Sequence, residues 1–85
     1  MPKVEIYTQW GCPYCVRAVA LLNAKGVSFT EYDTTMDRAK RAEMEARKPG
    51  ARTVPQIFVD DVPYGGCDDI HALDAAGKLD AILGL

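Results

Sequence analysis

Long apolar runs are missing from this sequence, and none approaches the roughly 18 residues that a membrane-crossing helix needs. The opening residues, MPKVEIYT, alternate in polarity and lack the apolar stretch of a signal peptide. Blocks of like charge are missing as well. The net charge is −2, and the densest charged segment, DRAKRAEMEARK, mixes both signs. A solvated helix face accounts for that pattern, and a nucleic-acid surface does not. There is no internal repeat, linker or low-complexity segment. Cysteine is scarce, at three residues. An odd count argues against a secreted scaffold held by disulfides. These absences together lead us to expect a cytoplasmic protein, a single domain over residues 1–85, with neither membrane nor nucleic acid as partner. What is present, 48% hydrophobic and 26% charged residues, suits a small globular fold with a modest core.

Polarity patterns divide the chain into short elements. Val4 to Thr8 alternates and carries β-formers, which predicts a first strand. Pro13 to Lys25 is rich in Ala, Leu and Val and stops at Gly26, so it reads as a helix packed on a sheet. Val27 to Tyr32 alternates again, and a strand–helix–strand order with short connections implies a parallel pair. Thr35 opens a charged helix reaching about Arg47, broken by Lys48-Pro49-Gly50. Val54 to Val59 is a third strand, Asp60-Asp61 a turn, and Val62 to Tyr64 a short fourth strand. After Gly65-Gly66, Cys67 to Ala76 forms a helix ending at Gly77, and the tail KLDAILGL a final turn closing over the core. The order is βαβαββα. It predicts an α/β fold, a four-stranded mixed sheet flanked by helices.

The stretch QWGCPYCVRA carries the chemistry. Proline is favoured at the first position of a helix, where its missing N–H would be unpaired anyway. That makes Pro13 the first helical residue, Cys12 the N-cap and Cys15 the third helical residue. An N-cap side chain faces the free N–H groups two and three residues on, here those of Tyr14 and Cys15. A thiolate accepts such bonds better than a thiol, so the geometry favours an ionised Cys12. Hydrogen bonds to a charged group contribute about 1.5–3 kcal/mol each, against about 0.3–1 kcal/mol from an exposed helix dipole. The N–H donors therefore matter more than the dipole. Cys15, inside the helix, should stay protonated until needed and lies one turn away, within reach of a disulfide. One attacking thiolate beside one resolving thiol is the pairing that thiol–disulfide exchange requires. The competing structural reading is zinc, since Cys12, Cys15, Cys67 and His71 supply a Cys3His set. The rigid proline between the first two cysteines suits a helix cap better than a zinc knuckle, and we assign no metal ligand.

Three separated motifs, C-P-Y-C after the opening strand, T-V-P before the third and G-G-C-D-D opening the last helix, resemble those of dithiol glutaredoxins. The similarity runs over nearly the whole chain, with the motifs in order and at the right separations. The resemblance implies a thioredoxin fold, glutathione as cofactor, and reduction of protein disulfides and glutathione mixed disulfides. It makes Cys12 the nucleophile and Cys15 the resolving thiol. Tyr14 would flank the bound tripeptide. Thr53, Val54 and Pro55 would form a loop with a cis proline opposite Cys12, turning the Val54 N–H and C=O toward the ligand backbone. Gly66, Cys67 and Asp68 would hold the γ-glutamyl end, with helix N–H groups for its carboxylate and an acid for its ammonium. Asp69 is equally explained by the helix dipole. Cys67 would contribute backbone and no thiol. Arg52 is the candidate partner for the glycine carboxylate.

One position departs from the family. Relatives commonly carry lysine three residues before the first cysteine, where this chain has Gln9. An amide there can still bond a carboxylate but brings no charge. Arg17 would partly replace that field if its side chain turned back. Trp10 is expected to be exposed near the active site, and His71 is assigned no role. The expected partners are glutathione and disulfide-containing or glutathionylated proteins, ribonucleotide reductase being the family's usual example, with the protein acting as a monomer. Two rival readings are an iron–sulfur carrier with Cys12 and glutathione as ligands, and a donor recharged by thioredoxin reductase.

Overall fold

A computed structural model of the chain describes residues 2–85. Its elements run β1 (Val4–Thr8), α1 (Pro13–Ala24), β2 (Thr30–Asp33), α2 (Arg38–Arg47), β3 (Gln56–Val59), β4 (Val62–Gly65), α3 (Cys67–Ala75) and α4 (Leu79–Ile82). The four strands form one sheet in the order β2-β1-β3-β4. β1 pairs with β2 in parallel and with β3 antiparallel, and β3 and β4 close an antiparallel hairpin. The sheet is therefore mixed, as expected.

All five residues of β1 are buried, because both faces of the sheet are covered. Strand alternation sends Val4 and Ile6 to one side, where Ala18 and Leu22 of α1, Ile70 of α3 and Leu79 and Leu83 of the tail complete the main core. It sends Tyr7 to the other side, where Met44 of α2, Ala51 and Phe58 make a second, smaller core. Tyr7 meets Phe58 edge-on at 5.6 Å between ring centroids, a favoured aromatic geometry. The buried Leu79 and Leu83 confirm that the tail closes over the core. It does so as a separate short helix, which extends the expected order to βαβαββαα.

The structure moves several boundaries. β2 starts at Thr30 instead of Val27, since pairing with β1 begins at Glu5↔Thr30. Val27 is spent on the main core before the chain joins the sheet. α2 starts at Arg38 and not at Thr35, because Thr35 is held in a turn by Asp33, which accepts both its N–H (2.9 Å) and its hydroxyl (2.5 Å). Asp37 then caps the helix by accepting the Lys40 N–H at 3.0 Å. β3 starts at Gln56 and not at Val54, as Pro55 has no N–H to give to a ladder. Helix ends shift by one residue: Lys25 and Ala76 are caps following α1 and α3. β4 runs one residue further, to Gly65.

Candidate active site

The first turn of α1 sets the position of the reactive sulfur. Cys12 has extended backbone angles (φ −100°, ψ 105°), Pro13 follows in the first helical turn, and the Cys12 Sγ accepts the Cys15 N–H at 3.1 Å. Of the two donors expected at this sulfur, Cys15 supplies the bond that forms. On its other side Cys12 faces the loop before β3, where the Val54–Pro55 peptide is cis, as expected. The Cys12 thiol donates toward the Val54 carbonyl oxygen at 3.8 Å. All three cysteines are free thiols.

The two sulfurs differ as the exchange chemistry requires. Cys12 is partly exposed, whereas Cys15 is 3% exposed. Burial first, and then the hydrogen bond to Cys12, push the Cys15 thiol up to about 12, against a smaller opposing effect of a main-chain bond from Gln9. Cys15 therefore stays protonated while Cys12 is free. Cys67 is also buried, which raises its thiol despite the nearby Arg17 charge. It stays protonated too, in keeping with a residue that contributes backbone only.

Beside Val54 lies a hollow of about 670 Å³, a size suited to a small-molecule ligand. Eight of the nine expected binding residues line it: Tyr14 from α1, the run Arg52, Thr53, Val54 and Pro55, and Gly66, Cys67 and Asp68 at the start of α3. Gln9 does not. It directly follows β1 and lines a second hollow, which Cys12 lines too. Arg17 does turn back, with its guanidinium 5.7 Å from the centre of the Tyr14 ring.

Three contributors to the first hollow went unrecognised in the sequence. Lys48, read there only as part of a helix break, lines the hollow and donates to the Gln56 side chain at 3.1 Å. Gln56 in turn donates to the Thr53 carbonyl at 3.0 Å, and Arg41 donates to the Arg52 carbonyl at 2.6 Å. These bonds fix the loop that borders the hollow. They join residues on different elements, so no local pattern could announce them. Asp69 is different: its carboxylate accepts the Gly66 N–H at 2.8 Å, the reciprocal half of a capping box. The Gly66-x-x-Asp69 spacing would have revealed this role.

Gly65 makes that cap possible. Its φ of +95° disfavours any side chain, and a Cβ there would lie 2.7 Å from the Asp69 Cγ. Gly65→Ala is expected to lose about 2–3 kcal/mol, combining left-handed strain with the broken cap. Urea denaturation followed by circular dichroism measures this. Wild-type stability in the variant would mean that the Asp69 contact is dispensable.

His71 lies within α3 with its Nε2 buried and unbonded. Among the described residues no three His, Cys, Asp or Glu side chains gather as metal ligands.

Comparison with known proteins agrees with this geometry. A family model described as Glutaredoxin matches residues 4–63. The chain is 58% identical over 81 residues to a probable glutaredoxin of Synechocystis sp., covering 95% of this chain and 92% of the relative. It is 57% identical over 83 residues to Glutaredoxin 3 of Escherichia coli K12, covering 98% and 99%. Among solved structures, the solution structure of glutaredoxin from Brucella melitensis superimposes with a TM-score of 0.84 at 53% identity, covering 98% and 89% of the two chains.

Proposed function

The chain belongs to the glutaredoxin family of thiol–disulfide oxidoreductases, and from that premise we propose that its larger hollow holds glutathione, delivering the tripeptide's sulfur to Cys12. The observation that carries this reading is the meeting of three elements at one sulfur. Cys12 caps α1, its Sγ is 3.8 Å from the Val54 carbonyl, and Val54 lines a hollow that ends at the N-terminus of α3. An extended peptide beside Val54 gains main-chain hydrogen bonds as an added strand would. Arg52 and Lys48 supply positive charge for the glycine carboxylate. The N–H groups opening α3 face the γ-glutamyl carboxylate, with Asp68 for its ammonium.

The reaction is a pair of sulfur displacements. The Cys12 thiolate attacks the glutathione-side sulfur of a mixed disulfide. The old S–S bond breaks, and the partner leaves as a thiolate that takes a proton from water. A second glutathione thiolate attacks the Cys12 adduct, forming oxidised glutathione and restoring Cys12. With a protein disulfide, the Cys12 thiolate attacks one protein sulfur, the protein S–S bond breaks, and the other sulfur leaves as a thiolate that takes a proton from water. Cys15 then gives its proton to the departing protein thiolate and attacks Cys12, leaving a Cys12–Cys15 disulfide that two glutathione molecules reduce. Two of the effects holding the Cys15 proton come from Cys12 itself, its hydrogen bond and its charge. Burial is the largest effect and stays, but both of these disappear once Cys12 is tied up in a disulfide, so the resolving thiol then holds its proton less firmly.

The free thiols and the odd cysteine count suit a reducing compartment, the cytoplasm. No helix among the described residues is long and apolar enough to cross a membrane. The proposed substrates are glutathionylated and disulfide-bonded proteins, ribonucleotide reductase among them, with the enzyme acting as a monomer.

Titration of 15N-labelled Cys12→Ser protein with reduced glutathione tests the placement. Amide shifts should concentrate at Thr53, Val54 and Gly66–Asp68. In a coupled assay, Arg52→Ala should raise the KM for glutathione about fivefold, the upper end for an exposed ion pair. Shifts clustered away from Val54 and Gly66 would overturn the placement.

A further inference from the structure

The Cys12 sulfur is 3.8 Å from the Val54 carbonyl of the proposed glutathione hollow, and Cys12 itself lines another. The second, of about 380 Å³, is lined by both active cysteines together with Trp10, Val16, Glu31 and Asp33. Any polypeptide joined to the Cys12 sulfur must pass over the ground beside it.

Three features make this ground unlike ordinary surface. Its apolar side chains are large and open to solvent: Trp10 is 82% exposed and Val16 68%. Met36, 95% exposed, sits next to the Thr35 that binds Trp10. Tryptophan and methionine are enriched at protein contacts, and each costs solvation when left in water. The platform is also fixed. The Trp10 N–H donates to the Thr35 hydroxyl at 2.7 Å, and Asp33 holds that same hydroxyl and the Thr35 N–H. The indole is therefore presented on a braced loop. Charge supplies the third feature. Glu31 and Asp33 line this hollow with no Lys or Arg among the lining residues, whereas the first is lined by Lys48 and Arg52 as well as Asp68 and Asp69. One Glu31 oxygen accepts the Thr8 hydroxyl at 2.7 Å, and a carboxylate has acceptor capacity beyond that single bond.

We propose that this second hollow receives the polypeptide part of the substrate, Trp10 and Val16 seating its apolar contacts while Glu31 and Asp33 favour chains with a Lys or Arg beside the reacting cysteine. The inference rests on the glutathione reading above and divides the substrate between two sites. The tripeptide goes to the hollow of mixed charge, and the protein segment goes to the acidic and aromatic one. A Lys or Arg head within a Debye length of the two carboxylates is attracted to them, and salt weakens that attraction.

Two glutathionylated peptides, identical except for Lys or Glu on either side of the cysteine, test this in a glutathione-coupled assay. The Lys peptide should show a kcat/KM about threefold to tenfold higher at low salt, the range two exposed ion pairs supply. The preference should vanish near 1 M salt. Glu31→Gln/Asp33→Asn should bring the ratio toward one, and Trp10→Ala should raise KM for both peptides. All these variants should keep wild-type turnover of a mixed disulfide between glutathione and a small uncharged thiol. Trp10 is the chain's single tryptophan. Its fluorescence should therefore respond to reduced Lys peptide added to Cys12→Ser protein. Equal kcat/KM for the two peptides, or a ratio unchanged in the double variant, overturns the docking proposal while leaving the glutathione site standing. Failure of wild type to turn over the small disulfide overturns the glutathione reading itself.

Discussion

Cys12→Ser will stop turnover of glutathione mixed disulfides, lowering it on the order of 10³-fold or more, as loss of a nucleophile does elsewhere. Cys15→Ser will leave that reaction within about threefold of wild type but abolish reduction of protein disulfides through the intramolecular route. Serine is a better N-cap than most residues, so the hydroxyl introduced by Cys12→Ser would still accept the Cys15 N–H that the sulfur now takes. The first variant therefore keeps its helix start, and its failure reports chemistry. The second places a hydroxyl at a buried position, which costs about 1 kcal/mol of stability unless a partner forms. That is too little to unfold a domain of this size. Parallel assays on a small glutathione mixed disulfide and on a disulfide-bonded protein separate the two roles. Equal loss in both variants on both substrates would contradict the division of labour.

Arg47→Ala should be the most destabilising change on the face of the sheet away from α1. The Arg47 guanidinium donates to both Glu5 carboxylate oxygens, at 2.8 and 3.2 Å, to the Tyr7 hydroxyl at 2.9 Å and to Asp61 at 3.0 Å. It also stacks 4.1 Å from the centre of the Phe58 ring. Glu5 is almost wholly buried in the central strand β1. Removing the arginine leaves its carboxylate with the Tyr32 hydroxyl, at 2.8 Å, and the exposed Lys3 ammonium, at 3.8 Å. Breaking a buried pair on one side costs about 3–5 kcal/mol, and at 4–8 °C per kcal/mol for a domain this small the melting temperature should fall by more than about 12 °C.

The pH dependence identifies the cause. Burial alone would raise the Glu5 carboxyl, but the bonds from Arg47 and Tyr32 outweigh it and hold the group below its ordinary 4.5. A carboxylate lowered in the fold contributes stability above its unfolded value and loses it as pH falls through the folded one. Wild type should therefore weaken in acid below about pH 4.5. Without Arg47 burial dominates, the carboxyl prefers its proton, and the gap between variant and wild type should narrow over that range. Glu5→Gln added to Arg47→Ala should recover part of the loss at neutral pH. Thermal melts across pH 3–8 check this, and a constant gap would assign the loss to Phe58 and Tyr7 packing instead.

Legibility in the sequence tracked the distance between the residues involved. Cys12, Pro13 and Cys15 lie within one helical turn, so spacing alone predicted a cap and a protected second thiol. Gly26 and Gly77 ended helices for local reasons and were equally readable. The residues around Val54 and Gly66 were recognisable as motifs, but only folding brings them to one hollow. Pairings across the chain left no trace. Glu5 with Arg47, Lys48 with Gln56 and Trp10 with Thr35 join different elements, and each is set by sheet order. The start of α2 was misjudged for the same reason, since Thr35 is bound by Asp33 and Trp10 before the helix begins. Gln9, which directly follows β1, lines the second hollow beside Cys12, a placement that only the fold reveals.

The suppressed ionisation of Cys15 has a bearing on poisoning by soft heavy-metal ions. Two sulfurs a turn apart invite chelation, and a chelate with such an ion needs negative charge on both. Here the second proton must be stripped from a desolvated site that the bond to Cys12 also guards. The reduced pair thus offers such an ion one accessible sulfur and a reluctant partner, a discrimination in favour of disulfides that comes from how deeply Cys15 is set.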